Sequence, residues 1–180
     1  MPTPQHELVI AKVASEICKQ LHNTQSELAK DIEDLNSPTL KLQYEAEDEE
    51  TREPSQVESS HTPDRAIGRP GDAFPGVVLE VAFSQNFRQM KYIAEEYILG
   101  SGGNIRVVVA INMEYRNRGS KRASISIWRS NKFRGDTGPM HEAKQELNQE
   151  VCLLATMKQV LLIRLRTFAM MTAISSMAKG

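Results

Sequence analysis

The stretch PGVVLEVAF, residues 75–83, places one carboxylate in the middle of an otherwise apolar run. Its apolar residues continue without alternation after a Pro-Gly pair, which predicts a strand buried on both faces. Residues two apart share a face of a strand, so Glu80 points the same way as Val78 and Ala82. An unpaired buried carboxylate costs several kcal/mol. Glu80 therefore needs a cationic partner, a proton held through a raised pKa, or a divalent metal shared with a second carboxylate.

The residues after this stretch predict a βαβ unit. Apolar residues from Phe87 to Ile98 recur at helical spacing, and Ser101-Gly102-Gly103 supplies the positive φ values that end a helix. A second β-rich run, Ile105–Ile111, follows, so the two strands should lie parallel with a right-handed crossover. Ala123–Arg129 alternates apolar and polar side chains and should pair antiparallel with the second strand as a hairpin.

The flanking segments predict helices, one strand and a loop. Gln5–Gln25 has the pattern of an amphipathic helix, and Ser26–Leu35 predicts a second, shorter helix. Thr39–Tyr44 alternates and predicts a strand, whereas the acidic segment at about 45–62 is too polar to offset the entropy of ordering and predicts a mobile loop. Met140–Met177 is rich in helix formers and predicts one or two amphipathic helices, whose apolar side would favour self-association.

Length and composition predict one domain of an ordinary soluble type. The 180 residues suffice for one core, so we expect an α/β core over 1–135 and a helical extension over 136–180. The two cysteines are too few and too far apart for a disulfide framework or a zinc site. No secretory signal or membrane-spanning segment is expected, because charged residues interrupt both apolar ends. These features predict an intracellular protein, cytoplasmic or nuclear.

Charge is distributed unevenly along the chain. Residues 1–60 hold thirteen acidic and five basic side chains, whereas residues 61–180 hold ten acidic and seventeen basic. Residues 116–134 contain no acid. Their basic side chains are Arg116, Arg118, Lys121, Arg122, Arg129, Lys132 and Arg134. This cluster predicts either a phosphate-facing surface or a solvated hairpin.

Four short motifs between Pro63 and Arg134 carry a resemblance to a known group. They are PD at 63–64, PGVVLEVAFSQ at 75–85, AEEYI at 94–98 and SISIWR at 124–129. Together they resemble uncharacterised fungal proteins that are similar to the restriction-endonuclease domains of the PD-(D/E)xK nuclease superfamily. The resemblance implies a mixed sheet of about four to five strands flanked by helices. It also implies that Asp64 and Glu80 bind Mg²⁺ and that the protein hydrolyses phosphodiesters in nucleic acid.

The chain departs from the superfamily's pattern at one position. The superfamily's lysine, which orients or activates the attacking water, would stand two residues after the second acid, where this chain has Ala82. Lys91 on the following helix is the nearest replacement, and Gln85 can hydrogen-bond the water but supplies no positive charge. Glu16 is either a third oxygen ligand or a solvated helix residue. The departure leaves a second hypothesis open, in which a catalytically inactive member of the fold serves as a binding or assembly module.

Nucleic acid is thus the expected partner under the first hypothesis. The residues expected to contact its backbone are Arg116, Arg118, Lys121 and Arg122. Such contacts would give salt-dependent binding without sequence preference. The expected catalytic residues are Asp64, Glu80, Gln85 and Lys91.

Overall fold

The computed structural model describes residues 4–23, 29–47, 54–83, 87–113, 122–135 and 138–153. Over these residues the chain is an α/β protein with two helices, a mixed six-stranded sheet and a two-stranded sheet. The elements in chain order are α1 Pro4–His22, β1 Glu33–Asp34, β2 Leu40–Glu47, β3 Pro54–His61, β4 Arg65–Gly68, β5 Val77–Phe83, α2 Phe87–Gly100, β6 Val107–Met113, β7 Arg122–Gly135 and β8 Gly138–Leu153. The large sheet has the order β1-β4-β5-β6-β7-β8, and β2 pairs with β3 in the small one.

The predicted βαβ unit is confirmed. β5 and β6 pair in parallel and in register from Val77 opposite Val107 to Phe83 opposite Met113. The helix between them ends where Gly102 and Gly103 adopt positive φ values of 59° and 74°. Both glycine N–H groups donate to carbonyls of the last helical turn, which satisfies groups that the helix end would otherwise leave unpaired.

The large sheet carries a hydrophobic core on each face. One core joins the buried side of α1 to alternate residues of β5, β6 and β7, among them Leu79, Val109 and Ile125. The other core joins α2 and β2 to the intervening residues, among them Val78 and Trp128. Each of β5, β6 and the inner part of β7 therefore buries both of its faces, as the apolar run predicts for β5.

The small sheet lies against α2, and glycine permits the close approach. A Cβ atom on Gly100 would lie 2.8 Å from the Cβ of Leu42, which is closer than real Cβ contacts come. Leu40 and Leu42 are buried there. The predicted strand Thr39–Tyr44 is thus confirmed as part of β2.

Three predictions of secondary structure are wrong within the described residues. Of the predicted helix Ser26–Leu35, the described residues from 29 onward form a turn followed by β1, because the backbone at Glu33–Asp34 pairs with β4. The loop predicted at 45–62 contains β3, which pairs residue by residue with β2. The helix predicted from Met140 is β8 as far as Leu153, because its backbone pairs with β7 along almost its whole length. Residues 154–180, where the rest of the helical extension is predicted, lie outside the described residues.

Candidate functional site

Asp64 lies just before β4 and hydrogen-bonds to β5. β4 pairs with β5 only over Arg65–Ile67. Beyond that pairing, the Asp64 Oδ2 atom accepts the backbone N–H of Val81 at 2.7 Å. The carboxylate therefore takes the place of a ladder partner for that N–H. The Nε2 atom of buried His6, in the first turn of α1, lies 3.4 Å from the same oxygen.

Glu80 contacts the helix on the other face of the sheet. The hydroxyl of Tyr97 in α2 donates to its Oε1 at 2.7 Å. Burial raises the pKa of the Glu80 carboxyl from 4.5 to about 7, the Tyr97 hydrogen bond opposes that rise, and the charge of Asp64 adds to it. A backbone hydrogen bond from Asp64 also lowers the Glu80 pKa. Of the three means of compensation open to Glu80, the one seen among the described residues is a proton held through a raised pKa, together with a neutral donor.

Tyr97 is itself fixed on its far side by the small sheet. The ring of His61, the last residue of β3, packs edge-on against the Tyr97 ring with centroids 5.4 Å apart. His61 Nε2 also lies 3.2 Å from a carboxylate oxygen of Glu96. Burial, followed by the charge of Glu80, raises the pKa of the Tyr97 hydroxyl. Tyr97 therefore keeps its proton and can donate to Glu80 at any ordinary pH.

The two acids are neighbours that hydrogen-bond in different directions. Asp64 bonds in the sheet plane and contacts α1, whereas Glu80 bonds to α2. They remain close enough for the Asp64 charge to act on the Glu80 pKa. Within the described ranges, no group of three or more His, Cys, Asp or Glu side chains is arranged to hold a metal ion. A metal bound here would have two protein carboxylates as its acidic ligands.

The chain has no lysine at the position that the superfamily's pattern specifies. Ala82 stands there instead and is buried, and the alternation of side chains along β5 places it on the same face as Glu80. The exposed Lys91 lies with its Nζ 3.7 Å from Glu95 Oε1 on the same helix. Gln85 lies outside the described residues. The catalytic roles expected of Lys91 and Gln85 stay predictions.

Glu16, the third ligand considered from the sequence, makes a local contact. Its Oε1 accepts a hydrogen bond from Gln20 Nε2 at 3.1 Å, one turn along α1. It is His6, ten residues earlier on the same helix, that reaches Asp64. The structure thus favours the interpretation of Glu16 as a helix residue hydrogen-bonded to its own helix.

The basic cluster of residues 116–134 is divided by the fold. Arg116, Arg118 and Lys121 lie outside the described residues, and Arg122 is exposed at the first residue of β7. Arg129 is buried and its Nε donates to Glu146 on β8. Lys132 is exposed ten residues beyond Arg122, which corresponds to roughly 33 Å along a strand. Arg122 and Lys132 therefore stand toward opposite ends of β7, so the predicted cluster does not form a single surface over its described residues.

Two contacts of the acid pair were missed in the sequence because they depend on distant parts of the chain. His6 stands at the start of an amphipathic helix, and nothing in its local sequence indicates an acid 58 residues away. The contact of Tyr97 could have been predicted, since its hydroxyl is the polar group within an apolar helical stripe. A buried hydroxyl needs a hydrogen-bond partner, and the carboxylate of a neighbouring buried strand is the partner the fold supplies.

No protein family, curated protein or solved structure matches the chain. Within the described residues, neither helix combines the length and apolarity needed to cross a membrane.

Proposed function

We propose that this chain is a metal-dependent phosphodiesterase acting on nucleic acid, with Asp64 and Glu80 as the ligands of Mg²⁺. The observation that carries the proposal is the pair of carboxylates at the end of the β4–β5 pairing, where Asp64 accepts the N–H of Val81, the residue next to Glu80, and its charge raises the pKa of Glu80. Two like charges held together at a partly buried position are destabilising unless a proton or a cation separates them. The strand, helix and strand that follow Asp64 are compatible with the nuclease core that the resemblance implies.

The donor set is compatible with magnesium. Mg²⁺ in proteins is commonly bound by one or two carboxylates, with water and substrate phosphates completing its coordination. Glu80 accepts the Tyr97 hydroxyl at Oε1 and Asp64 accepts the Val81 N–H at Oδ2, so both carboxylates are held in place and would each offer Mg²⁺ an oxygen ligand. Bound there, Mg²⁺ would polarise the phosphodiester and lower the pKa of an attacking water.

The chain's own residues would then orient the acids rather than transfer protons. Tyr97 fixes the carboxylate of Glu80, and the Val81 N–H fixes that of Asp64. Glu80 binds a cation only in its ionised form, which its raised pKa makes a fraction of the molecules near neutral pH. Metal binding and proton release at Glu80 are therefore linked.

Calorimetric titration with MgCl₂ and plasmid nicking together test this proposal. We expect the wild-type protein to bind Mg²⁺ and to nick supercoiled DNA. The double variant Asp64→Asn with Glu80→Gln should do neither, while Asp72→Asn, which removes one exposed carboxylate outside the site, should behave as wild type. Equal nicking by wild type and the double variant would overturn the proposal, as would absence of a magnesium heat from the wild type.

A second candidate is an inactive member of the same fold that acts as a binding or assembly module. Ala82 at the position of the expected lysine favours it, as does the Glu80 carboxyl whose burial is already accommodated by Tyr97 and a raised pKa. Under this candidate the carboxylates are structural, so the wild-type protein should show no magnesium heat. The same calorimetry therefore separates the two candidates.

A further inference from the structure

The outer half of the β7–β8 hairpin extends beyond the rest of the sheet. β6 pairs with β7 only over Ala123–Arg129, so apart from one backbone bond between Ser130 and the loop before β6, residues 130–135 of β7 pair only with β8. Residues 131–134 of β7 are exposed. This two-stranded segment, residues 130–135 with 138–143, is called the outer hairpin below.

One face of the outer hairpin is basic. Side chains alternate along a strand, so Ser130, Lys132 and Arg134 continue the face on which Trp128 packs toward α2. His141 stands directly opposite Lys132 and shares that face. The acid of this segment within the described residues, Glu142, stands opposite Asn131 and accepts its side-chain hydrogen bond on the other face.

Arg106, from the loop before β6, joins this face at its base. Its carbonyl accepts the backbone N–H of Ser130 at 3.0 Å. The pKa of His141 is lowered by burial and then by the positive charges of Arg106 and Lys132, so these cations lie close enough to act on one imidazole. Arg106 and Lys132 are 26 residues apart in the chain and are brought together only by the fold.

Contacts with Ser130 and Gly103 fix the position of the His141 ring. Its Nδ1 lies 3.0 Å from the Ser130 hydroxyl. Gly103 has φ of +74° and packs against the ring, where an added Cβ would come within 2.2 Å. The exposed cations therefore border a structured polar surface. A groove of about 460 Å³ adjoins it, lined by Lys132, Phe133, Arg134 and Gly138.

We infer that this face, with Arg106, Lys132 and Arg134 as its cations, is a binding surface for the phosphate backbone of nucleic acid. The inference rests on the proposed function for its choice of ligand, and it moves the expected contacts from Arg122 to the opposite end of β7. Among the described residues, none of the three cations is paired with an acidic side chain. A two-stranded β-ribbon is also an element that fits the major groove of duplex DNA.

Fluorescence anisotropy with a labelled DNA duplex, in EDTA and at several salt concentrations, tests the inference without metal. Each phosphate contact contributes a slope of about −0.9 to the plot of log K against log salt concentration. The triple variant Arg106→Gln, Lys132→Gln, Arg134→Gln should therefore bind more weakly and lose roughly 2 to 3 units of slope. These side chains are exposed, so its thermal unfolding should match that of the wild type.

The control is a triple variant that removes the same charge elsewhere. Lys12 and Lys19 are exposed on α1, and Lys41 is exposed on β2. Lys12→Gln, Lys19→Gln, Lys41→Gln should keep the wild-type slope. An equal loss in both triple variants would show that net charge alone drives binding and would overturn the inference, as would an unchanged slope in the first.

Failure of this inference is distinguishable from failure of the proposed function. The variant Asp64→Asn with Glu80→Gln should bind the duplex in EDTA as the wild type does. If the wild type binds Mg²⁺ but the triple variant binds the duplex as tightly as the wild type does, the inference alone is rejected. Salt-dependent binding through the basic face without a magnesium heat would support the inference and reject the phosphodiesterase.

Discussion

The acid pair, Asp64 and Glu80, and the basic face of the outer hairpin differ in how their charges are compensated. Asp64 and Glu80 lie between two helices, and each has a donor within the protein. Lys132 and Arg134 lie outside both hydrophobic cores and are exposed. A charge removed from water must be compensated within the protein, and the raised pKa of Glu80 reflects the cost of its desolvation. An exposed charge remains available to a partner.

The strand β7 passes through both environments. Its inner residues, such as Ile125 and Trp128, complete the two cores, while its outer residues pair with β8 alone. The contrast between the two regions is therefore also a contrast within one strand. Substitutions at matched positions along β7 can measure it.

The largest effect is expected from truncating an aromatic residue of the inner half. Trp128→Ala removes a side chain that is 1% exposed, and we expect a loss of about 3 to 5 kcal/mol in the free energy of unfolding. Phe133→Ala, five residues further on, removes a side chain that is 42% exposed and should cost less than about 1 kcal/mol. Urea unfolding of both variants measures the difference. Similar losses would show that the outer hairpin is as much a part of the core as the inner strand.

The same contrast explains which elements could be predicted from the sequence. The β5–α2–β6 unit is confirmed, and the apolar run of β5 indicates its two buried faces. The strand Ala123–Arg129 is confirmed as part of β7, although the polar face that its alternation predicts is also buried. The long strand β8 is composed of helix formers such as Glu146 and Leu147, and its strand structure comes from backbone pairing with β7. Local propensity cannot predict this pairing, because the pairing depends on the partner strand β7.

The acid pair was predictable in part for a related reason. Glu80 stands out locally as a carboxylate within an apolar run, and the resemblance pointed to Asp64. Two of their partners come from distant elements: Tyr97 donates to Glu80 from α2, and His6 lies beside Asp64 from α1. The basic face likewise combines Arg106 with the outer hairpin, and no window of sequence contains both.

The pH dependence of stability should report the buried acid. Because the folded-state pKa of Glu80 is raised from 4.5 to about 7, the folded state holds its proton more tightly than the unfolded state does. Stability should therefore fall as the pH rises through that interval and level off above it, by about 3 kcal/mol from this group. Urea unfolding between those limits, compared with Glu80→Gln, isolates the contribution of Glu80. Parallel curves for the two proteins would mean that Glu80 ionises in the folded state as it does in water.

Removal of the donor to Glu80 should have a smaller effect that depends on pH. Tyr97→Phe keeps the ring and its contact with His61 but deletes the hydroxyl, so above pH 7 we expect a loss of about 1.5 to 3 kcal/mol, the range for hydrogen bonds to charged groups. When Glu80 is protonated the loss should be smaller, since that bond is then neutral. Tyr92→Phe on the same helix, where the side chain is 66% exposed, is the matched control and should leave stability unchanged. A loss in Tyr97→Phe that stays constant with pH would indicate that the hydroxyl contributes through packing, and the acid pair would then differ less from the basic face than its contacts suggest.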